Sequence, residues 1–409
     1  MGPRKVPPGH ERGEKREVCD AAAMIEKIRK ALVGREAAMM SAIERLVNVN
    51  SFTDNVAGGN LVGAMLTEML MDLPGVSVRG VLSERHATHL VASTRGAEGA
   101  SQGCVAIVGH LDTVFPPGTF EGFRVEDGIA RGPGVLDMKG GLVVAIEALR
   151  ALATTGLLDT VPVRFVIVSE EEIGSPESQA ILRRELAGAA CSLTLEAGRS
   201  ADRVITARKG TGAAKVVATG RAAHAGNAHQ QGANAIWALA RFIDSAQRLT
   251  DYEAGITVNV GKVSGGQGKN TVPDQAEALV DFRFVKIEGG EATFAQLVEA
   301  GRAAAESVPG TTVTVTGGPA RMPLERTDEN VALYREYAAH AKAAGLGDGE
   351  APLLGGGSDA STTAAMGIPS IDGLGPRGTG FHTKEELIEI ASLLPKVEAM
   401  AAFLASRAR

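Results

Sequence analysis

Histidine, aspartate and glutamate recur in this chain beside glycines or at the ends of short apolar runs, a placement that suits the capture of a metal cation. Gly109-His110-Leu111-Asp112-Thr113 directly follows the apolar run 105–108. One ring nitrogen of such a histidine can ligate while a carboxylate two residues on orients the other. A capped turn would use the same residues. Gly132-Pro133-Gly134-Val135-Leu136-Asp137-Met138-Lys139-Gly140-Gly141 precedes an apolar stretch, and Asp137 taken singly reads best as an N-terminal helix cap. Ser169-Glu170-Glu171-Glu172 follows the run 163–168. Three adjacent acids repel one another, so they form either a solvated acidic face or a place where a cation removes the cost. Leu195-Glu196-Ala197-Gly198 sets another carboxylate at the end of an apolar run, and Gly380-Phe381-His382-Thr383 follows a glycine-rich loop. A lone histidine such as His382 has ordinary structural uses. In open α/β sheets, however, ligands lie outside the carboxyl ends of the strands, and His110, Glu171, Glu172 and Glu196 all fall on that edge by separate strand readings.

The elements that must position these residues follow from hydrophobic spacing. Residues 21–46 and 59–73 have helical periodicity and are expected as surface helices. The runs 105–108, 163–168 and 192–195 are apolar on both sides, as buried strands of a mostly parallel sheet are, with a helix over 141–152 between them. From 210 to 318 the expected order is strand 213–219, helix 233–249, strand 256–263, strand 276–285, helix 293–306 and strand 311–316. That β-α-β-β-α-β order marks a split βαβ sandwich with one helical face. Beyond it come a helix over 330–344, the loop Gly355-Gly356-Gly357, a short strand at 368–371 and a C-terminal helix from 384. The expected fold class is α/β. A mostly parallel-sheet catalytic domain (21–209 and 319–409) is interrupted by a smaller ferredoxin-like α+β domain (210–318), behind a polar tail at 1–20.

Composition narrows the function classes. With 409 residues, 44% apolar and 22% charged, the chain is an ordinary globular protein of two or three domains. Its 42 basic against 48 acidic residues give a net charge of −6, which offers no field for nucleic acid or an anionic membrane. The three cysteines, Cys19, Cys104 and Cys191, are odd in number and far apart. They fit neither a disulfide framework nor a metal knuckle, so a reducing, cytoplasmic setting is expected. Gly132-Pro133-Gly134 lacks the Gly-x-Gly-x-x-Gly spacing and no P-loop sequence occurs, so a nucleotide-binding protein is poorly supported, and Ser358 lacks the Gly-x-Ser-x-Gly elbow of a serine hydrolase.

His110-x-Asp112, Gly-x-x-Asp137-Met-Lys-Gly-Gly, Glu171-Glu172, Glu196 and His382, in this order, resemble the zinc-dependent family of aminoacylase, acetylornithine deacetylase, succinyl-diaminopimelate desuccinylase and glutamate carboxypeptidase. The resemblance spans nearly all of the chain after the tail. It implies two Zn2+ per subunit, with Co2+ or Mn2+ as possible substitutes. Asp137 would bridge both ions, His110 and Glu196 would complete one, and Glu172 and His382 the other. Asp112 would orient His110, and Glu171 would be the general base. Two Zn2+, three ligand carboxylates, neutral imidazoles and one bridging hydroxide sum to zero charge, which supports the assignment independently.

The resemblance also implies homodimerisation through the inserted domain, with His224 reaching the partner's zinc site to stabilise a developing oxyanion. Asn270 and Arg283 match substrate-contact positions, Arg283 gripping a carboxylate bidentately. Gly356, Gly357 and Ser358 lie in a loop resembling the substrate loop of the glutamate carboxypeptidases. The implied reaction is hydrolysis of an amide bond in a small peptide or N-acyl amino acid bearing a free carboxylate. An N-acyl amino acid deacylase, and a non-catalytic ligand-binding protein that keeps the fold, are the alternatives. All of this requires His110 and His382 to meet at Asp137.

Overall fold

The structure, a computed structural model, describes residues 23–97 and 102–408; the tail expected at 1–20 lies outside them. Two units emerge. The first runs to Thr206 and resumes over Thr327–Ala351 and from Met366; the second is Ala207–Arg326 with Pro352–Ala365. The segment 352–365 had been expected in the catalytic part. It groups instead with the second unit because Lys209 N–H donates to Leu354 O (2.8 Å) and Leu354 N–H to Ala207 O (3.2 Å).

The first unit is built on a six-stranded sheet. It comprises β1 (Val76–Val81), β2 (His89–Thr94), β3 (Val105–His110), β4 (Val163–Val168) and β5 (Cys191–Thr194), with Ser370–Ile371 at the edge, in the order β1-β2-β4-β3-β5-edge. From β4 to the edge the strands are parallel, whereas β1 and β2 pair antiparallel. All six residues of β3 are buried. Burial on both faces is the reason these runs do not alternate. Register then fixes the site: His110 stands opposite Val168, so β3 and β4 end level and His110 emerges beside 169–172. Helix α1 (Gly140–Thr154) is buried along most of its length against this sheet.

The helix expected over 21–46 is broken. One helix covers 23–32, Gly34 adopts φ +76, and a second runs Arg35–Val47. Only a residue without Cβ takes that backbone at no steric cost. Each helix buries one face, through Met39, Ile43 and Leu46 here and Val62, Leu66 and Leu70 in Val56–Met71. The C-terminal helix starts at Leu393, not at 384, because Leu387–Glu389 is a strand paired with Ile129–Arg131. Among the described residues, no helix is long and apolar enough to cross a membrane.

The second unit follows the order β6 (Gly210–Thr219), α2 (Ala235–Gln247), β7 (Thr257–Gly265), β8 (Gln275–Phe284), α3 (Ile287–Ser307) and β9 (Thr312–Arg321). Its sheet is antiparallel, in the order β7-β8-β6-β9. Val216, Ala218, Val280, Phe282 and Phe284 face the helices and pack with Leu239, Phe242 and Leu297. Helix α3 begins earlier than the expected 293. Gly290 is tolerated there because the Phe284 ring occupies the space a Cβ would need, 2.7 Å from Cε2.

Candidate metal centre

The acid and histidine motifs converge in the first unit at the carboxyl ends of β3, β4 and β5. His110 Nε2 lies 3.1 Å from Asp137 Oδ1 and 3.9 Å from Glu196 Oε1. Its Nδ1 is 3.1 Å from the Asp112 carbonyl and 3.4 Å from Asp112 Oδ1. Two acceptors hold a proton on Nδ1, so Nε2 is the nitrogen that faces the carboxylates. His382 Nε2 lies 3.0 Å from Glu172 Oε2 and 3.5 Å from Asp137 Oδ2. The two oxygens of Asp137 therefore face different imidazoles. Around a tetrahedral Zn2+ with bonds of about 2.0–2.1 Å, neighbouring donors stand about 3.3 Å apart. The separations found here bracket that value. Glu171 groups with His110 and Glu196, their donor atoms within 4.8 Å of one another.

Buried contacts hold these side chains. Asp112 accepts from Glu171 N–H (3.2 Å) through Oδ1, and from Glu172 N–H (3.2 Å) and the Thr53 hydroxyl (2.8 Å) through Oδ2. It thus ties β3 to the 171–172 turn. Glu170 points elsewhere and accepts from Glu177 N–H and from the N–H and hydroxyl of Ser178. Only two of the three adjacent acids face the centre. Asp137 is not the cap it resembles when read alone. It sits in the turn Val135–Lys139, the N-cap of α1 is Lys139, and no side chain caps that helix. His382 adopts φ +62, a backbone uncommon outside glycine and the kind of strain found at functional sites. The Phe381 ring meets its imidazole edge-on at 5.5 Å, and the Arg199 guanidinium lies 5.1 Å over that ring.

Charge is unbalanced in this cluster. Burial pushes Glu172 up to about 7, helped by the charges of Asp137 and Glu171 and opposed by His382. Burial, then Asp137 and Glu171, raise Glu196 well above the carboxylate range. Hydrogen bonds that its imidazole donates to Asp137 and Glu172 push His382 up to about 10. For His110, burial opposes protonation, but bonds with Asp112 and Asp137 outweigh it. Asp137 is held low by the two histidines against its burial. Buried carboxylates outnumber the cationic groups, so the cluster draws in protons, and divalent cations answer the same need. Imidazole and carboxylate donors without thiolate suit Zn2+, Co2+ or Mn2+.

Residues 106–406 match the family model described as peptidase family M20/M25/M40. The chain belongs to this family. Carboxypeptidase G2 of Pseudomonas sp. (strain RS-16) is 28% identical over 383 residues, covering 92% of this chain and 90% of that protein. Acetylornithine deacetylase of Myxococcus xanthus is 28% identical over 207 residues, 47% of this chain and 53% of that one. Among solved structures, aminopeptidase PepT of Bacillus cereus ATCC 10987 matches with a TM-score of 0.77 at 25% identity, over 91% of this chain and 99% of that chain. As a member of the M20 metallopeptidases, the protein is a hydrolase that binds divalent metal.

The remaining candidate residues of this M20 chain lie in the second unit. Ala223–His224 pairs with Thr271–Val272, Thr271 opposite His224, and Ala225 N–H donates to Asn270 O (2.9 Å). His224 and Asn270 are therefore brought onto one paired loop. His224 Nδ1 accepts from Gly226 and Asn227 N–H, each at 3.1 Å, which leaves Nε2 to carry the hydrogen. Arg283 stands apart on β8, its fork engaged by Asp281 at 2.8 and 2.9 Å. Gly356 is exposed, whereas Gly357 abuts Arg321, whose Cδ would lie 2.8 Å from an added Cβ. Ser358 is wholly buried, and its hydroxyl accepts from Ala360 N–H (3.3 Å) at the start of Ala360–Ala364.

Several contributors had no distinguishing motif in the sequence. Thr53 and Glu386 are buried against the loops that carry the candidate ligands, whereas Lys139, which does belong to a quoted motif, is buried and donates to Val49 O (3.0 Å). Arg208 and Arg321 lie buried by the glycine loop, Arg208 donating to Gly356 O (3.2 Å) and Arg321 standing 3.6 Å from Asp359. A lone arginine at a strand end looks the same in sequence whether it is buried or solvated.

Proposed function

We propose that this M20 hydrolase uses two Zn2+ ions to cleave the amide bond of a small peptide or N-acyl amino acid bearing a free carboxylate, in the manner of a carboxypeptidase. The observation that carries the reading is the geometry of Asp137, whose two oxygens face His110 and His382, each imidazole beside its own glutamate, Glu196 and Glu172. When bound, the paired cations would polarise the scissile carbonyl and acidify water. Asp112 keeps His110 in the tautomer that ligates through Nε2. Glu171, next to Glu172 but grouped with His110 and Glu196, takes the proton of the attacking water and delivers it to the departing nitrogen. His224 offers its Nε2–H to the developing oxyanion of the partner subunit's substrate.

Recognition of the substrate carboxylate is assigned to Arg283, Asn270 and the loop of Gly356, Gly357 and Ser358, with Arg208 and Arg321 adding buried positive charge beside that loop. The proposed assembly is a homodimer through the second unit. There β7 is a sheet edge, and Val263 and Trp237 are exposed; such an edge is a ready template for a second chain. The proposed setting is the cytoplasm, a reading that the widely spaced cysteines support. Similarity to carboxypeptidase G2 over 92% of the chain supports the carboxypeptidase reading over that of an acetylornithine deacetylase, whose likeness covers about half of the chain.

Elemental analysis of fully active protein should return about two zinc ions per chain; active protein without metal would end the proposal. A screen of dipeptides, folate-type glutamyl amides and N-acyl amino acids should show turnover of the first two classes. Turnover confined to N-acetyl or N-succinyl substrates would replace it with the deacylase reading.

A further inference from the structure

The loop that carries Asp137 is gripped by a residue with no ligand role. Glu386 is wholly buried, and its carboxylate is spent on backbone: Oε1 accepts from Leu136 N–H (2.8 Å) and Asp137 N–H (2.9 Å), and Oε2 from Gly134 N–H (3.0 Å). Three N–H groups converge because Gly134 takes φ +74 ahead of the turn, a concave backbone arrangement that favours an anion. Glu386 belongs to the same stretch as His382, and the strand that follows it pairs with the strand that precedes the Asp137 loop, Leu387 opposite Arg131. Strand pairing and carboxylate thus bind the Asp137 segment to the His382 segment from two sides.

We infer that Glu386 is a positioning residue for the bridging carboxylate: it ties the backbone of Gly134, Leu136 and Asp137 to the His382 loop, so that the two oxygens of Asp137 face the two imidazoles before any cation arrives. The inference rests on the two-cation reading above. A clasp of this kind acts on metal affinity through geometry, as outer partners of ligands do, and their loss typically weakens binding about 10–100-fold.

The test is titration of metal-free protein with Co2+, followed by visible absorption, in the parent, Glu386→Gln and Glu386→Ala. The parent should take up two ions. In Glu386→Gln, which keeps the shape but sets an amide donor against one of the backbone N–H groups, the weaker step should move about 10–100-fold to higher Co2+, and further in Glu386→Ala. Parental affinity at both steps in either folded variant overturns the inference, even where thermal stability has dropped. A parent that binds no Co2+ would instead refute the two-cation reading. Amide hydrogen exchange of the metal-free parent gives an arm that needs no variant. The N–H groups of Gly134, Leu136 and Asp137 should be protected, and exchange at the rate of open loop would overturn the preformed clasp.

Discussion

Glu171 and Glu172 are consecutive, yet they have different surroundings. Glu172 pairs with His382, whereas Glu171 groups with His110 and Glu196. Glu171→Gln should lower turnover by about 10²–10⁴-fold, the usual contribution of a general base, with metal content close to parental by elemental analysis; parallel loss of metal would make Glu171 a ligand. A second residue-scale prediction concerns Lys396, buried with Nζ 3.8 Å from Asp202 Oδ1, an acid that also takes Arg377. Burial lowers Lys396 from its ordinary 10.5 to about 8. Between those values the unfolded chain holds more protons than the folded one, so this group makes stability rise with pH from about 8 to 10.5. Below that window its cost is constant. Lys396→Met, which removes this titration and leaves Asp202 its Arg377 partner, should flatten the pH dependence of stability above 8 and so narrow the difference in stability between pH 7 and pH 10. Urea melts at pH 7 and pH 10 check this, and an unchanged difference between the two pH values would contradict the account.

At the scale of elements, close approach sets the site. A Cβ on Gly141, in the first turn of α1, would stand 2.4 Å from the Leu195 carbonyl, so the helix start and the segment delivering Glu196 fit only because that Cβ is missing. Gly141→Ala should cost about 1–3 kcal/mol, as overpacking of a tight contact does, measured by urea unfolding of the metal-free protein; a change within a few tenths would show that the segments can part freely. The strands themselves were legible: 105–108 and 163–168 are continuous apolar runs, and the strands found are Val105–His110 and Val163–Val168. The C-terminal helix begins at Leu393 and not at the expected 384, a difference that local sequence hides because 384–389 carries no turn signal. Its strand character comes from pairing with Ile129–Arg131, far away in sequence. The second unit's gain of 352–365 has the same cause, backbone bonds to Ala207 and Lys209 that no local pattern announces.

At the scale of the whole molecule, the metal-centre residues belong to the first unit, whereas His224, Asn270 and Arg283 belong to the second. If His224 serves the partner's centre, chains carrying His224→Ala mixed with chains carrying Asp137→Asn should regain activity in hybrid dimers, which hold one intact combination. No rescue in heterodimers confirmed by mass spectrometry would count against action across subunits. Cation binding should also stabilise the folded chain by mass action. With free Zn2+ about a hundredfold above its dissociation constant, unfolding should cost about 2.7 kcal/mol more than under chelation, read as a higher urea midpoint. Equal midpoints would mean the folded centre has no preference for the ion.

Residue types, their order and their placement at strand ends were fixed by the chain itself, since two-sided burial and helical spacing are local patterns that write directly into sequence. Local pattern, without the family resemblance, did not tell which carboxylates face the centre; the tertiary structure decided that. Glu170 turns to Ser178, Asp137 leaves the helix start, and Glu386 closes on backbone N–H groups about 250 positions away. The physical reason is that a carboxylate's direction depends on which donors surround it, and in a parallel sheet those donors arrive on segments joined only through the fold.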